Sequence, residues 1–205
     1  MGIRSRFFAM TYDRQLAKVE KAGLAEKRQR LIGGATGRVL EIGGGTGANL
    51  SHYAPGVELT ITEPEDPMLK RLRQRVDAEA PGTEVVQAPA EALPFEDCSF
   101  DAAVTTLVLC GVDDQSRALG ELRRVLRPGG RLLFLEHVRS DDLGRAQWQD
   151  RLNFLSRFVS CCDCNRSTLA AIEAAGFEVE EVEHTELPKS PPFVRPLIVG
   201  TAARS

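Results

Sequence analysis

Residues 41–50 read Glu-Ile-Gly-Gly-Gly-Thr-Gly-Ala-Asn-Leu, with four glycines in ten positions behind an acid. Glycine lets a backbone approach a ligand that side chains would exclude. Three chemistries compete for such a stretch. A phosphate-cradling P-loop needs Lys-Ser/Thr after its last glycine, and no Lys follows here. A dinucleotide turn needs Gly-x-Gly-x-x-Gly/Ala with an acid about 20 residues on; Gly43, Gly45, Ala48 and Glu63 meet that pattern. The third is a compact ligand without phosphate. Glu41 favours it, because a carboxylate there opposes a pyrophosphate and welcomes a cation. Gly47 adds a second short spacing, which suits close approach to a small ligand. S-adenosylmethionine (SAM) has a sulfonium, an amino group and a ribose diol but no phosphate, and it fits Glu41, Gly43, Gly45 and Gly47. The opposing reading is a tight strand-to-helix turn with no ligand.

A second group of reactive side chains lies downstream. His137 comes two residues after the apolar run 132–135, at what would be the carboxyl end of a strand. Open α/β sheets place ligands there, so His137 is a candidate base, against a packed histidine as the bland reading. Glu136 faces the other way if the strand is regular. Cys110 ends another apolar run and is ordinarily read as a small buried hydrophobe. Cys161, Cys162 and Cys164 form a Cys-Cys-Asp-Cys cluster. A structural zinc site takes four ligands, usually as two spaced pairs; one cluster without a second pair implies no metal, and a loop lining a substrate pocket is the favoured reading. A grip on a metalloid such as arsenite is the alternative. Five cysteines, an odd number, indicate a reducing, cytoplasmic setting rather than a disulfide framework.

These residues need a scaffold, and the hydrophobic patterning supplies one. Residues 12–32 are expected to form an amphipathic helix, with Leu16, Val19, Leu24 and Leu31 among Lys and Arg. Strands are expected at 37–43, 57–64, 83–88, 100–110 and 131–138. Helices are expected at 46–54, 68–80 and 113–130. The helix at 113–130 is capped by Asp113 or Asp114 and stopped by Pro128-Gly129-Gly130. Two more helices, about 145–160 and 167–175, precede a half-exposed strand at 177–183 and a last strand at 195–202. The sum is a single α/β domain: a Rossmann-like, seven-stranded, doubly wound sheet, mostly parallel with an antiparallel C-terminal strand. That ending, a closing hairpin rather than a second nucleotide-binding half, further disfavours a dinucleotide.

The 205 residues suit one domain. A net charge of -3 argues against a dedicated nucleic-acid binder. Residues 1–30 nevertheless hold eight Lys/Arg against three Asp/Glu, so the basic N-terminus with Phe7-Phe8 could rest on an anionic membrane surface. No apolar run reaches the roughly 18 residues of a membrane span, and no signal peptide opens the chain.

Over nearly its full length the sequence resembles class I SAM-dependent methyltransferases. The stretches that carry this are VLEIGGGTGANL, ITEP, APAEALPFEDCSFDAAVTTLVLCGV and ELRRVLRPGGRLLFLEHV. More narrowly, TLVLCGV, LRPGG, LEHV and the Cys-Asn-Arg-Ser-Thr run ending at Thr168 resemble the alkyl-thiol methyltransferase-like branch and its bacterial relatives. LPF and LRPGG are also similar to ubiquinone and menaquinone biosynthesis methyltransferases. The resemblance implies that Gly43, Gly45 and Gly47 lie under the methionine end of SAM. Glu41 would reach its amino group, and Asn49 would be a polar partner. Glu63, followed by Pro64, would accept both ribose hydroxyls. Adenine would sit at Ala90 and Glu91; many relatives carry Asp where this chain has Pro89, which removes one adenine contact. Thr106 and Leu107 would flank the reacting methyl group. Tyr12-Asp13 would belong to an N-terminal helical lid, about 1–32, over the cofactor, with Tyr12, Cys110 and Cys162 lining the acceptor pocket and His137 as catalytic base.

The expected activity is methyl transfer to a small-molecule acceptor, with a thiol favoured. The alternative acceptor is a phenol oxygen or quinone carbon. Readings of other classes are a non-catalytic SAM-binding protein and a nicotinamide-linked oxidoreductase.

Overall fold

A computed structural model of the chain describes residues 16–160 and 162–205. Residues 16–32 are helical, as the periodicity requires, but not as one regular helix. A five-residue π-helical turn, Glu20–Leu24, with Gly23 at φ 124°, leads into α1, Ala25–Ile32. Only glycine takes that dihedral without strain. Leu24, Leu31 and Ile32 are buried, and so is Arg28. Arg28 lies four residues from both Leu24 and Ile32, on the apolar stripe rather than the charged face.

The sheet follows the expected order of strands. β1 is Arg38–Ile42, β2 Glu58–Thr62, β3 Glu84–Val86, β4 Phe100–Thr106, β5 Leu126–His137, β6 Phe177–Glu186 and β7 Pro196–Arg204. They form one sheet in the order β3-β2-β1-β4-β5-β7-β6. The first five strands pair in parallel, and β7 enters antiparallel between β5 and β6. The reversal of strand order lies between β1 and β4, which is where open α/β sheets leave a crevice at their carboxyl ends.

Several expected boundaries shift: among the strands, β4 ends at Thr106 rather than residue 110 and β5 begins at Leu126 rather than 131. The expected helix at 46–54 is a series of turns ending in a 3-10 turn, Leu50–His52. Gly47 takes φ 85°, and Leu50 N donates to the Gly47 carbonyl. These contacts close three-residue turns that do not propagate as an α-helix. α2 is Asp66–Glu79. α3 is Gln115–Val125, capped by the Asp114 carboxylate, which accepts from Arg117 N at 3.0 Å. It ends before Pro128, because Leu126 already has extended dihedrals. α4 is Leu143–Ser160 and α5 is Thr168–Ala174. The edge strand β6 is almost entirely solvent-facing and carries a bulge between Val179 and Glu181. Its glutamates and bulge discourage edge-to-edge pairing.

Alternation along the central strands divides the core in two. Leu40, Ile42, Ala103, Leu132 and Phe134 pack on one face with Leu119 and Leu122 of α3. Val39, Val104, Leu133 and Leu135 pack on the other with α1 and α2. Glu41 shares the second face by period-two alternation, so the strand delivers its carboxylate toward α1.

Candidate active site

Glu41 is 2% exposed at the end of β1. Its carboxylate accepts from Asn49 Nδ2 at 3.0 Å and Tyr53 Oη at 2.6 Å. Burial disfavours the anion and pushes its pKa up to about 7, against the opposing hydrogen bonds and the charge of Arg28. Arg28 Nη1 donates to Asn49 Oδ1 at 2.7 Å and Thr106 Oγ1 at 2.8 Å, and its Nε donates to Glu20 at 2.9 Å. Asn49 Nδ2 also reaches Thr106 Oγ1 at 2.9 Å. The network thus joins α1, the glycine turn and the end of β4. Its polar atoms satisfy one another, as buried polar groups must.

Sequence reasoning picked out Glu41, Asn49 and Thr106 but missed Arg28 and Tyr53. Arg28 was hidden in a run of charges; its spacing from Leu24 and Ile32 is the signal that marks it as inward.

The glycine turn is built to be thin. Gly43 and Gly45 have φ of 59° and 57°. A Cβ on Gly43 would lie 2.7 Å from the Val108 side chain. Glu63, at the end of β2, clamps this turn from below: Oε2 accepts from Gly45 N at 2.8 Å and Oε1 from Glu65 N at 2.9 Å. Burial raises its pKa, with those two backbone bonds opposing. A carboxylate offers about four lone-pair sites, so the expected ribose contact is compatible with both backbone bonds. Pro64 is exposed and Ala90 is buried. Glu91 Oε1 accepts from the Asp113 and Asp114 amides at 2.9 and 3.2 Å, so a residue expected beside adenine also holds the entry to α3.

At the acceptor side, β4 ends at Thr106, and Leu107 takes φ 61° while its N–H donates to the Leu135 carbonyl at 2.7 Å. A leucine in the left-handed region is costly and persists only where its surroundings enforce it. Glu136 does much of that enforcing. Fully buried, it accepts from Thr105 Oγ1 at 2.7 Å and from the Val108, Leu109 and Cys110 amides at 3.0, 3.1 and 3.4 Å. Sequence reasoning set Glu136 aside as facing away from His137. The Glu136 carboxylate shapes the turn that carries Val108 to Cys110, and its charge also acts on the imidazole.

His137 ends β5 and is 8% exposed. Its Nδ1 lies 3.3 Å from Cys162 Sγ and 3.6 Å from Cys110 Sγ. Its Nε2 is buried without a hydrogen-bond partner among the described residues. Burial disfavours the imidazolium, but the hydrogen bond and charge of Cys162, with Glu136 nearby, outweigh it and raise the pKa. The hydrogen bond from Cys110 lowers Cys162 despite burial, while Cys110 itself is pushed up by the same bond. The two described members of the Cys161–Cys164 cluster part: Cys162 faces His137, and Cys164 Sγ donates to Asn153 Oδ1 at 3.9 Å. Cys161, Tyr12 and the Phe7-Phe8 pair lie outside the described residues.

The polypeptide around Cys162 is tied to this centre. Asp163 N donates to the Cys110 carbonyl at 2.7 Å. Arg166 donates to the Leu109 and Val112 carbonyls at 3.0 and 2.7 Å and to Asp163 at 2.9 Å. Gln149 of α4 bridges the Val138 and Cys164 carbonyls at 2.9 and 2.7 Å.

With this geometry in view, comparison with known proteins is specific. A family model described as a methyltransferase domain matches residues 40–134. The chain is 33% identical to thiol S-methyltransferase TMT1A of Homo sapiens, covering 96% of this chain and 83% of that protein. It is 40% identical to a demethylmenaquinone methyltransferase of Thermus thermophilus over 48% of this chain and 46% of that protein. A SAM-dependent methyltransferase of Thermotoga maritima superposes with a TM-score of 0.73 at 25% identity, with both chains covered in full. The cradle fits SAM: a turn that tolerates no Cβ at Gly43, a carboxylate at Glu41 poised to ionise, and lone pairs to spare on Glu63.

Proposed function

The chain belongs to the thiol S-methyltransferase family of SAM-dependent methyltransferases, and from that premise we propose that its acceptor is a small thiol methylated beside His137. SAM supplies an electrophilic methyl group on a sulfonium, a good leaving group. The chain's own task is to hold both partners in line, exclude water and take one proton. Gly43, Gly45 and Gly47 bring the backbone against the methionine end, with Glu41 as the countercharge for its amino group. Asn49 and Arg28 fix that carboxylate and the Thr106 hydroxyl. Glu63 and the Ala90–Glu91 segment hold the nucleoside. Thr106 and Leu107 border the methyl group.

The observation that carries the acceptor assignment is the state of His137. One imidazole nitrogen is anchored against two thiols, and the other is buried without a hydrogen-bond partner among the described residues. That Nε2 takes the acceptor's proton as its sulfur attacks, and Cys162 steadies the charge at Nδ1, the same division of labour as base and orienting group in a nucleophile–base–acid triad. A thiol of ordinary pKa near 8.5 needs no stronger help. The positioned base is then worth on the order of 10²-fold or more. Cys110 and Cys162 thus orient the base besides lining the pocket.

The half-length match to a quinone-methylating relative favours a phenol or quinone as the second reading. Methyl transfer from labelled SAM to panels of alkyl thiols, aryl thiols, phenols and quinols separates the two. The reduced thiols suit a cytoplasmic location. No described helix is long and apolar enough to cross a membrane, and the basic N-terminus is assigned the role of cofactor lid, with contact to an anionic membrane surface as its second use.

A further inference from the structure

Two thiols converge on one imidazole nitrogen, and that nitrogen offers either one proton or one lone pair. Cys110 and Cys162 also hydrogen-bond each other, so the two sulfurs and the nitrogen already form one compact buried cluster. A thiophilic metal ion satisfies all three groups together. Cys110 Sγ, Cys162 Sγ and His137 Nδ1 lie within 4.8 Å of one another, and all three residues are buried. In a tetrahedral zinc site, bond lengths of about 2.3 Å to sulfur and about 2.05 Å to nitrogen place S and N about 3.6 Å apart. The observed separations are 3.6 and 3.3 Å. Spacing along the sequence could not show this set, since its members are 27 and 25 residues from His137 and come from the turn after β4, the end of β5 and the segment after α4. The bonds from Asp163, Arg166 and Gln149 hold those three segments together, so the ligands are arranged before any ion arrives.

We propose that Cys110, His137 and Cys162 form a zinc site with an open fourth position, and that an ion bound there switches the methyltransferase off. Two thiolates balance the charge of a divalent ion, and forming them releases protons. The soft donor set, two sulfurs and one nitrogen, selects zinc over magnesium or calcium. The silencing half rests on the base role given to His137. Coordination through Nδ1 fixes the ring proton on Nε2, which can then donate but no longer accept the acceptor's proton. The same ion also removes the thiols that orient the ring.

The test begins with protein stripped by chelator under reducing conditions and assayed for thiol methylation, which measures the parent activity independently. Zinc or cobalt(II) is then added and the protein desalted. One equivalent retained per chain is expected, with a thiolate-to-cobalt charge-transfer band. Cys110 and Cys162 are buried and alkylate slowly, so their labelling is followed by mass spectrometry over time in the metal-free protein; zinc should slow it further at those two positions while leaving the rate at exposed Cys98 unchanged. The double variant Cys110→Ser/Cys162→Ser should lose retention, and Cys98→Ser should keep it; the alkylation map of the parent protein decides the matter even if the double variant does not fold. Turnover of the loaded protein should fall on the order of 10²-fold, the low end of a base contribution, with SAM affinity unchanged and full recovery after chelation. Failure to retain metal, or protection of other cysteines, overturns the site while leaving thiol methylation intact. Retention with undiminished turnover overturns the switch and the base role of His137 together.

Discussion

Glu41 makes SAM binding a titration. Its carboxylate is fully buried, and burial lifts its pKa to about 7 in the free protein. The amino group of SAM, near the ordinary α-amino value of about 7.7–8.0, remains cationic below neutrality. Binding therefore draws on the ionised fraction of Glu41. That fraction rises from about 0.09 at pH ~6 to about 0.76 at pH ~7.5 while the cationic fraction of the amine falls from about 0.98 to about 0.7, a net affinity gain of about sixfold or ~1.1 kcal/mol. Calorimetry of SAM across that range measures it, and Glu41→Gln should flatten the profile. The stability of the free protein should move the opposite way. A carboxyl group whose folded pKa exceeds its unfolded value contributes stability in full below about 4.5, and that contribution is lost as the pH rises through about 7. Its size is on the order of 3 kcal/mol. Thermal melts of the free protein should show that loss, and SAM should suppress it. An affinity that is level from pH ~6 to ~7.5, or an unchanged slope in Glu41→Gln, would refute the ammonium contact.

Other perturbations reach the same site from different sides. Arg28→Met removes a charge that lowers Glu41, so the midpoint of the SAM affinity profile should move to higher pH, read by the same calorimetry. Glu63→Ala should weaken SAM by about 1.5–3 kcal/mol, the range for hydrogen bonds to a charged group. Gly45→Val should abolish binding, because φ 57° and a close ligand both exclude a branched side chain; parent-like affinity in both variants would displace the cofactor site. His137→Ala should lower kcat while leaving SAM affinity unchanged, which single-turnover assays and calorimetry separate.

The order and type of the strands were legible because parallel strands buried on both faces carry apolar runs, and 102–104 and 132–135 are such runs. The glycine turn and both its acids were legible for a similar reason: few side chains can occupy a left-handed turn against a ligand. Where the reading stopped, long-range packing decides. Arg28 looks like one more charge on a basic helix until Leu24 and Ile32 fix which side is inward. Residues 46–54 look helical until Gly47 adopts a left-handed conformation. Cys162 sits beside other cysteines in the chain, yet its partners are His137 and Cys110, which the turn after β4 brings to the same imidazole nitrogen. The carboxylate of Glu136 reaches back to three amides of the β4 turn, a pairing that no local pattern encodes.

The central claim is that this chain moves a methyl group from SAM to a thiol beside His137. Incubation of metal-free enzyme with methyl-labelled SAM and paired acceptors, an alkyl thiol against the alcohol or phenol of the same skeleton and against a quinol, measures it directly. Label should appear on the thiol sulfur, at a rate that rises with pH as thiolate accumulates and that His137→Ala depresses. Label on a phenol oxygen or quinol carbon, with the thiols unmodified, would contradict the claim.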